Sequence, residues 1–430
     1  MHAPSSTPAT GQQRIAVIGA GISGLASAWL LAKKHQVTLF EANAYAGGHT
    51  NTVDVTLNGV TAPVDTGFLV FNERTYPNLL GLFAELGVQR HESEMTFAVS
   101  MDGGKLEWAG NNLDTLFAQR RNLLSPRFHG MVQDILRFNR ESARYLTLST
   151  DLTLGELLKQ EGYGAMFADA YLLPMAACIW SCPSNEMLGF PAVSFIRFCH
   201  NHGLLQINNR PQWFTLAGGG RDYVRRMMPQ IQQVRLNTPV RAVVRGADGI
   251  TVRTDAGSET FDAVIFATHA PTTLAILQDA SDEERQILGS VRYQTNIAWL
   301  HTDPALLPVR RKVWSAWNYL GGAAVSGVRP VCVSYLINQL QPLPFSQPVV
   351  VTLNPFHDPA PHTQLARFEY EHPVMDTPAA QAQAALPSIQ GKGGIWYAGA
   401  WTGYGFHEDG LKSALRVVAD FDALPVWATL

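Results

Sequence analysis

The stretch from Arg14 to Thr50 constrains the fold of this chain more than any other part of its sequence. It begins with a short apolar segment, Ile15–Ile18, and turns through glycines at positions 19, 21 and 24. An apolar helical segment follows, and then a second apolar segment, Val37–Phe40, which is followed by Glu41. Strand, glycine turn, helix, strand and acid in this order form the dinucleotide-binding fingerprint. The sequence therefore predicts a Rossmann-like α/β unit near the start of the chain.

Each fingerprint residue has a physical role in holding a dinucleotide. Gly19 permits the tight turn, Gly21 lets the backbone approach a pyrophosphate, and Gly24 lets the helix pack closely on the strand. The backbone N–H groups at the start of that helix then point at the phosphates. Glu41, at the end of the second strand, can accept a hydrogen bond from a ribose hydroxyl. The fingerprint alone leaves both NAD and FAD open.

Composition limits the classes of protein that this chain can represent. At 430 residues it can form a large core and two domains, which need not be consecutive in sequence. The formal net charge of −3 gives no electrostatic argument for binding nucleic acid or a strongly anionic membrane. The four cysteines follow no zinc-binding spacing and predict reduced, mostly buried thiols in a cytoplasmic protein; they are Cys178, Cys182, Cys199 and Cys332.

Two N-terminal features bear on targeting. Residues 1–13 are rich in Pro, Ser and Thr, and we expect a flexible tail there without a signal peptide. The uncharged run Ile15–Ala32 has nearly the length of a membrane span. Because its glycines have the fingerprint spacing, the run predicts a nucleotide-binding fold, and we expect no transmembrane helix.

Two further glycine-rich segments favour FAD over NAD. Gly47 and Gly48 directly follow the acid strand, where FAD-binding folds pass the ribityl and pyrophosphate groups. Near the C-terminus, residues 399–410 connect a predicted strand to a predicted helix, Leu411–Phe421. A helix N-terminus near the flavin stabilises the negative charge that develops on reduction. A simple N-cap role for Asp409 is the alternative.

Periodicity gives a coarse secondary structure for the rest of the chain. Residues 76–203 read as mostly helical, beginning with a helix over Pro77–Leu86, and residues 276–385 read as rich in strands. The apolar segment Tyr171–Trp180 predicts a core helix, with the lining of a pocket for an apolar substrate as the alternative. The run Gly218–Gly220 predicts a tight connection, with an anion site as the alternative. The apolar run Phe261–Thr268 predicts a buried parallel strand.

Several separated motifs carry a family resemblance. GAGISGLASAWLL, FEANAYAGGHTNTV, FDAVIFATHAP and YAGAWTGYGFHEDGLKSAL together resemble the flavin-containing amine-oxidase-like superfamily. More narrowly, VDTGFLVFNERTYPN, PMAACIWSCP, SAWNYL, SYLINQLQPL, VTLNP and EHPVMD are similar to bacterial NAD/FAD-binding oxidoreductases that accompany cyclopropane-fatty-acyl-phospholipid synthases. The N-terminal domain of plant cyclopropane fatty acid synthases is similar as well. The resemblance covers nearly the whole chain after the tail.

The resemblance implies a set of FAD-binding residues. The loop Asp65–Phe68 should run beside the isoalloxazine, and Val240 should contact the adenine. The full set of expected contacts is Gly19, Gly21, Ile22, Ser23, Gly24, Glu41, Gly47, Gly48, His49, Thr50, Thr66, Gly67, Phe68, Val240, Ala267, Thr268, Ala400, Trp401, Phe406, Glu408, Asp409, Gly410 and Leu411. Many amine oxidases carry Arg where His49 stands, so the phosphate or ribityl contact is altered here. A histidyl-linked flavin at His49 is an alternative.

Catalytic residues are less well defined by the resemblance. Amine oxidases use an aromatic cage and often a lysine that acts through water on the flavin, and the sequence places neither. Our candidates are His407, Tyr404 and Tyr335, with Asn318 and Trp180 as further pocket residues. For His407, a general base and a structural histidine are the two alternatives. We expect no metal site, because the remaining histidines of the proline-rich stretch read as surface residues: His357, His362 and His372.

The sequence thus predicts an α/β protein of amine-oxidase-like fold in two discontinuous domains. Residues 14–75, 215–275 and 390–430 should form the Rossmann-like FAD-binding domain, and residues 76–214 and 276–389 a mixed α+β substrate domain. The predicted function is an FAD-dependent oxidoreductase that oxidises a lipid acyl chain by hydride transfer. The alternatives are an amine or amino-acid oxidase, a non-catalytic flavoprotein partner of an acyl-chain methyltransferase, and a pigment desaturase or isomerase. We expect an apolar or phospholipid substrate, no nucleic acid, and a cytoplasmic location with peripheral contact to the inner membrane face.

Overall fold

The computed structural model describes residues 11–149, 152–180, 187–206, 210–322 and 331–430. Residues 1–10 of the predicted tail, Cys182 and the side chain of Trp180 lie outside this description. The Rossmann-like unit predicted from the fingerprint is present as a parallel sheet. Its strands, in spatial order, are Gln233–Arg235, Gln36–Phe40, Arg14–Ile18, Ala263–Phe266 and Ile395–Tyr397.

The parallel sheet is buried on both faces. Along the strand Arg14–Ile18, Ile15 and Val17 pack into the large core, while Ala16 and Ile18 pack into a second core on the other face. A strand that is covered on both faces has no polar side, which explains its continuous apolar sequence. The connecting helix Ile22–Leu31 is buried along its whole length and packs against the helix His407–Ala419.

The second large sheet is mixed. Its strands are antiparallel neighbours except for one parallel pair, Phe97–Met101 with Trp317–Gly321. In spatial order they are Gln364–Pro373, Tyr293–His301, Val350–Leu353, Val331–Leu336, Trp317–Gly321, Phe97–Met101 and Leu106–Ala109. The strands of this sheet fall in the ranges predicted for the substrate domain, and those of the parallel sheet fall in the ranges predicted for the FAD-binding domain. The domain boundaries themselves stay a prediction.

Smaller sheets and helices make up the rest of the fold. The remaining strands form the hairpin Thr52–Leu57 with Val60–Asp65, the sheet Phe71–Asn72, Trp213–Leu216 and Arg90–Ser93, and the sheet Val240–Gly246, Gly249–Thr254 and Gly257–Phe261. The other described α-helices are Pro77–Leu86, Leu113–Leu116, Pro126–Tyr145, Leu154–Gln160, Ala165–Phe167, Leu173–Trp180, Ala192–Asn201, Arg221–Met227, Ala270–Ile276, Asp282–Gly289, Ile337–Leu340 and Thr377–Ala385.

Three secondary-structure predictions differ from the structure. The region 76–203 was expected to be mostly helical, but it contains the strands Arg90–Ser93, Phe97–Met101 and Leu106–Ala109. They are short, and their partners come from distant parts of the chain. The run Phe261–Thr268 divides at Asp262, whose carboxylate accepts a hydrogen bond from Arg14 N at 2.7 Å. The C-terminal helix begins at His407, four positions before the expected start at Leu411.

Neither a membrane span nor a metal centre is found in the described ranges. None of the helices there combines the length and apolar character that crossing a membrane requires. No group of three or more His, Cys, Asp or Glu side chains within those ranges could hold a metal ion. The thiols of Cys178, Cys199 and Cys332 are buried and free, and burial raises the pKa of each.

Candidate functional site

A cavity of about 1250 Å³ runs from the carboxyl ends of the parallel strands to the face of the mixed sheet. Ile18 and Phe40 lie at its first end, and Phe97 and Trp317 lie at its second. Ordinary ligand pockets measure roughly 300–1,000 Å³. The cavity can therefore hold more than one small molecule, and its two ends differ in chemistry. We refer to them as the nucleotide end and the apolar end.

The fingerprint turn forms the wall of the nucleotide end. The helix Ile22–Leu31 starts at Gly21 with no side-chain cap and with no acid in its first turn. Its first N–H groups are therefore left for a ligand, and they favour an anion. A Cβ added at Gly21 would meet no atom within 4 Å, whereas one at Gly24 would lie 1.8 Å from Gly19 O. Gly21 thus faces the cavity, and Gly24 serves the packing of the helix on the strand.

Glu41 is fixed beside this turn. Its side chain is buried, and one carboxylate oxygen accepts from Ala20 N at 2.8 Å. The other oxygen accepts from the backbone N and the side-chain Nδ2 of Asn43, both at 2.9 Å. The second glycine pair closes on the same turn, because Gly47 N donates to Ala20 O at 2.7 Å. The fingerprint, the acid and the glycine pair therefore form one wall.

Asp65 anchors the loop Asp65–Phe68, which also lines the cavity. Its carboxylate accepts from Thr52 Oγ1 at 2.5 Å, from Gly220 N at 2.9 Å and from Gln341 Nε2 at 3.0 Å. Burial raises the pKa of Asp65 to about 6 in spite of these donors. The start of this loop is therefore fixed by contacts from three separate segments of the chain. The run Gly218–Gly220 contacts this loop through Gly220 N and does not line the cavity. It is a tight connection, as the sequence predicted, and not an anion site in the cavity wall.

His407 joins the C-terminal segment to that loop. Its Nε2 lies 2.8 Å from Thr50 Oγ1 and 3.2 Å from Tyr223 OH, and its ring stacks on Phe68 with centroids 3.8 Å apart. Burial lowers the pKa of His407 to about 3, so the imidazole is neutral. A general base needs a free nitrogen and a pKa nearer the working pH. The geometry favours the structural alternative for this histidine.

Most of the residues expected to bind FAD lie in the cavity wall. These are Gly19, Gly21, Ile22, Ser23, Glu41, Gly47, Gly48, His49, Thr66, Gly67, Phe68, Val240, Ala267, Thr268, Ala400, Trp401 and Phe406. The catalytic candidates His407, Tyr404 and Tyr335 lie there too. Expected contacts that the structure places behind the wall are Gly24, Thr50, Glu408, Asp409, Gly410 and Leu411.

The acids of this last group have structural partners. The Glu408 carboxylate accepts from Asn78 N at 3.0 Å and from Leu79 N at 2.9 Å, at the start of the helix Pro77–Leu86. Asp409 is in the first turn of its own helix and accepts from Phe406 N at 3.0 Å. It is therefore the returning acid of a capping arrangement and not the N-cap residue itself. Neither carboxylate is directed at the cavity.

Two other expectations are wrong. Asn318 is not a pocket residue, because its buried amide donates to Ser315 O at 2.5 Å and to Ser334 O at 3.0 Å. His372 is not a surface residue, because it lines the cavity, whereas His357 and His362 are exposed as predicted.

A histidine cluster at the nucleotide end was missed by the sequence reasoning. The ring centroid of His49 lies 5.2 Å from that of His372 and 6.4 Å from that of His269. Burial lowers the pKa of all three, in His372 to about 4. The buried His49 Nε2 has no hydrogen-bond partner. The sequence carried one signal for this cluster. Tyr370 and His372 are two positions apart on one strand, so their side chains point to the same face of the sheet.

The apolar end is lined by aromatic and aliphatic side chains, among them Phe97, Trp108, Tyr171, Met175, Cys178, Ile179, Trp317, Tyr335 and Leu353. The segment Tyr171–Trp180 is thus both a buried helical segment and part of the pocket lining. Among the described wall residues there is no lysine. The carboxylates of the wall are Glu41 at the nucleotide end and, on the strand that carries His372, Glu369 and Glu371.

The nucleotide end fits FAD on four structural observations. Gly21 leaves open space at the wall, the helix Ile22–Leu31 has uncapped N–H groups, Glu41 is held beside the turn, and His49 Nε2 is unpartnered. The first two suit a pyrophosphate, and the third suits a ribose. The length of the cavity then leaves the apolar end for a substrate.

Comparisons with known proteins agree with this geometry. The family model described as flavin containing amine oxidoreductase matches residues 22–304. A protein of Mycobacterium tuberculosis named flavin-containing monoamine oxidase AofH is 26% identical over 340 residues, which is 75% of this chain and 70% of that protein. The carotenoid phi-ring synthase of Streptomyces griseus is 28% identical over 326 residues, which is 69% of this chain and 59% of that protein.

Solved structures show the same fold. The cyclohexylamine oxidase from Brevibacterium oxydans superposes with a TM-score of 0.68 over 96% of this chain and 100% of that one, at 15% identity. A fatty acid isomerase from P. acnes that produces CLA superposes with a TM-score of 0.67 over 95% of this chain and 98% of that one, also at 15% identity. At such identities the likeness establishes the fold alone.

Proposed function

The chain belongs to the flavin-containing amine oxidoreductase family and is an FAD-dependent oxidoreductase, and we propose that it oxidises the acyl chain of a lipid. The proposal assigns the nucleotide end of the cavity to FAD and the apolar end to the acyl chain. The observation that carries it is the composition of the apolar end, where aromatic, Met and Ile side chains form the wall.

Different residues would hold the two ligands. The uncapped helix start at Ile22 and the carboxylate of Glu41 would hold the pyrophosphate and a ribose, and the loop Asp65–Phe68 would lie along the flavin ring. FAD, when bound, supplies the acceptor for the hydride, with its two electrons, that leaves one substrate C–H bond, and a proton lost from the neighbouring carbon to solvent completes the removal of two hydrogens and leaves a C=C bond. Oxygen or another carrier of unknown identity would then accept these electrons. The apolar wall orients the chain and excludes water from it.

The candidate catalytic side chains His407 and Tyr404 are uncharged. His407 is neutral because of its low pKa, and burial raises the pKa of Tyr404. Tyr335 OH donates to the carbonyl of Cys178 at 3.4 Å. A neutral wall suits a hydrocarbon, because burying an unpaired charge beside it would be costly. An alkylammonium ion would instead need a carboxylate or an aromatic cage at the apolar end.

The sequence relatives leave the substrate class open, since one is named for monoamines and another for a carotenoid. The narrower resemblance to oxidoreductases that accompany cyclopropane-fatty-acyl-phospholipid synthases supports the acyl chain. It also supports an acyl-chain methyltransferase as a partner. A flavoprotein that only positions such a partner would co-purify with it and show no flavin turnover.

One observation favours an amine oxidase as the second candidate. The rings of Phe198 and Phe406 lie 4.9 Å apart, and those of Phe198 and Tyr404 lie 5.7 Å apart, in the cavity wall. The free faces of such rings can attract a cation. Release of peroxide from an amine in a substrate screen would support this candidate over the first.

The test of the proposal is product analysis. The FAD-loaded protein is incubated without oxygen with phospholipids that carry unsaturated or methylated acyl chains. Mass spectrometry should then show one acyl chain lacking two hydrogens for each flavin reduced. Unchanged lipids, together with oxidation of an amine by the same preparation, would contradict the acyl-chain proposal and leave the flavoenzyme assignment intact.

A further inference from the structure

A surface outside the fingerprint segment combines exposed apolar side chains with a concentration of basic ones. It is formed by residues 102–127 and 309–312, and we call it the basic-apolar surface. Leu113 is 74% exposed, Leu124 is 88% exposed, and Val309 is 71% exposed. Leu123 is exposed as well. Single exposed apolar residues need no explanation, but several on segments that contact each other mark an interaction site.

Hydrogen bonds and ion pairs join these segments into one surface. Lys312 Nζ lies 2.6 Å from Asp114 Oδ2, and Arg310 pairs with Glu107 at 2.8 Å. Val309 N also donates to the Glu107 carboxylate, at 2.7 Å. The side chain of Gln119 donates to the carbonyl of Gly104 at 2.9 Å. The exposed side chains are therefore presented by a fixed arrangement of short elements.

The charge of this surface differs in sign from that of the whole chain. It holds seven basic residues against three acids, Asp102, Glu107 and Asp114, while the chain has a formal net charge of −3. Glu107 is fully buried, and Asp114 pairs with both Arg120 and Lys312. The basic residues are Lys105, Arg120, Arg121, Arg127, Arg310, Arg311 and Lys312. The net charge of the whole chain therefore does not reveal this local excess of positive charge.

We propose that the basic-apolar surface docks on a bilayer that contains anionic lipids. Exposed leucine and valine side chains flanked by Arg and Lys are the combination that inserts at the boundary between headgroups and acyl chains. The basic groups gain from the negative potential of the lipid surface, and the apolar ones gain from leaving water. A nucleic acid would use the charges and leave the exposed leucines in water.

The position of this surface relates it to the cavity. The strand Leu106–Ala109 carries Trp108 into the cavity wall, and Gly110 is also a wall residue. Leu113 follows shortly after Gly110 on the exposed side. Residues that line the apolar end and residues of the basic-apolar surface therefore belong to one short stretch of the chain. The docking inference stands on the surface alone and does not depend on which substrate the enzyme oxidises.

Vesicle co-sedimentation of the FAD-loaded full chain tests this proposal. We expect binding to phosphatidylcholine vesicles that contain phosphatidylglycerol, weaker binding to phosphatidylcholine alone, and weakening as NaCl is raised. The charge variant Arg121→Gln/Arg127→Gln/Arg311→Gln should bind about a hundredfold more weakly, because each basic residue near an anionic surface contributes roughly fivefold. The apolar variant Leu113→Ser/Leu124→Ser/Val309→Ser should lose about tenfold or more.

Matched controls distinguish docking through this surface from non-specific binding to vesicles. The variant Arg253→Gln/Arg285→Gln/Arg416→Gln removes exposed arginines elsewhere, and Val60→Ser/Val426→Ser/Leu430→Ser removes exposed apolar residues elsewhere. Both controls should bind like the wild type. Equal losses in the controls, equal binding to both kinds of vesicle, or binding of an acidic protein through this surface without vesicle binding would each overturn the proposal. Flavin content and acyl-chain oxidation in detergent are measured in parallel, so that a failed substrate assignment is recognised separately.

Discussion

The imidazole of His407 lies flat on the phenyl ring of Phe68, with their centroids 3.8 Å apart and their planes inclined by 15°. This contact joins the start of the last helix to the loop that follows Asp65. The two segments are more than 300 positions apart in sequence, yet together they form one side of the cavity. The stack and the hydroxyls of Thr50 and Tyr223 fix the position of the His407 ring, and burial keeps it neutral by lowering its pKa.

A pH dependence of stability follows from the low pKa of His407. Below its ordinary value of 6.5 the unfolded chain takes up a proton that the folded chain refuses until about pH 3. Stability should therefore fall as the pH falls through this window, by at most about 1.4 kcal/mol per pH unit for this group. In His407→Gln the decline should be less steep. Thermal unfolding of both proteins across the window measures the difference, and parallel declines would contradict the assignment.

The glycines of the fingerprint should respond differently to the same substitution. Gly21→Ala adds a methyl group that meets only open cavity, so the protein should fold normally but bind FAD at least about tenfold more weakly, because the methyl group occupies space for the pyrophosphate. Gly24→Ala places its methyl group against Gly19 O and should destabilise the fold itself. Flavin titration and thermal unfolding separate the two effects. Normal FAD binding by Gly21→Ala would contradict the assignment of the nucleotide end.

Removing the Asp65 carboxylate should destabilise the protein far more than removing that of Asp54, on the other strand of the same hairpin. Asp65→Ala leaves Gly220 N–H and Gln341 Nε2 without their acceptor in a buried site, and we expect a loss of about 2–4 kcal/mol together with reduced flavin content. Asp54→Ala removes an exposed pair with Arg221 and should cost less than about 1 kcal/mol. Denaturant unfolding of the two variants compares these costs. Similar losses in both would show that the Asp65 network does not hold the loop.

A larger side chain at the apolar end should reduce activity more for long substrates than for short ones. Ile179 is a half-buried wall residue, so Ile179→Trp can extend into the cavity with little strain on the core. We expect normal FAD content and a larger loss of kcat/KM for long acyl chains than for short ones. A uniform loss at every chain length would mean that this end does not receive the chain.

The sequence predicted the cofactor site better than the substrate site, for physical reasons. The fingerprint works through backbone geometry over a short stretch, so Gly21 and Glu41 are recognisable wherever the fold occurs. The strand Arg90–Ser93 has a polar sequence, and its partner Trp213–Leu216 is more than 100 residues away, so periodicity could not reveal it. His372 lay in a proline-rich stretch, and only the pleat of its strand directs it towards His49.

Roles inferred from family resemblance depended on side-chain direction, which sequence does not fix. Glu408 lies in the expected flavin segment, in the first turn of the last helix, but its carboxylate accepts hydrogen bonds from the start of the helix Pro77–Leu86. The basic-apolar surface was hidden for another reason. Its charges come from two stretches nearly 200 residues apart, and the net charge of the chain averages them with acids elsewhere.

The central claim is that the apolar end delivers an acyl C–H bond to FAD. The most direct measurement mixes the oxidised, FAD-loaded protein without oxygen with a phospholipid that carries an unsaturated or methylated acyl chain, and separately with an alkyl amine of the same chain length. Bleaching of the flavin absorbance by the lipid and not by the amine is the predicted result. A flavin band that stays unbleached with every acyl lipid and bleaches with the amine would contradict it.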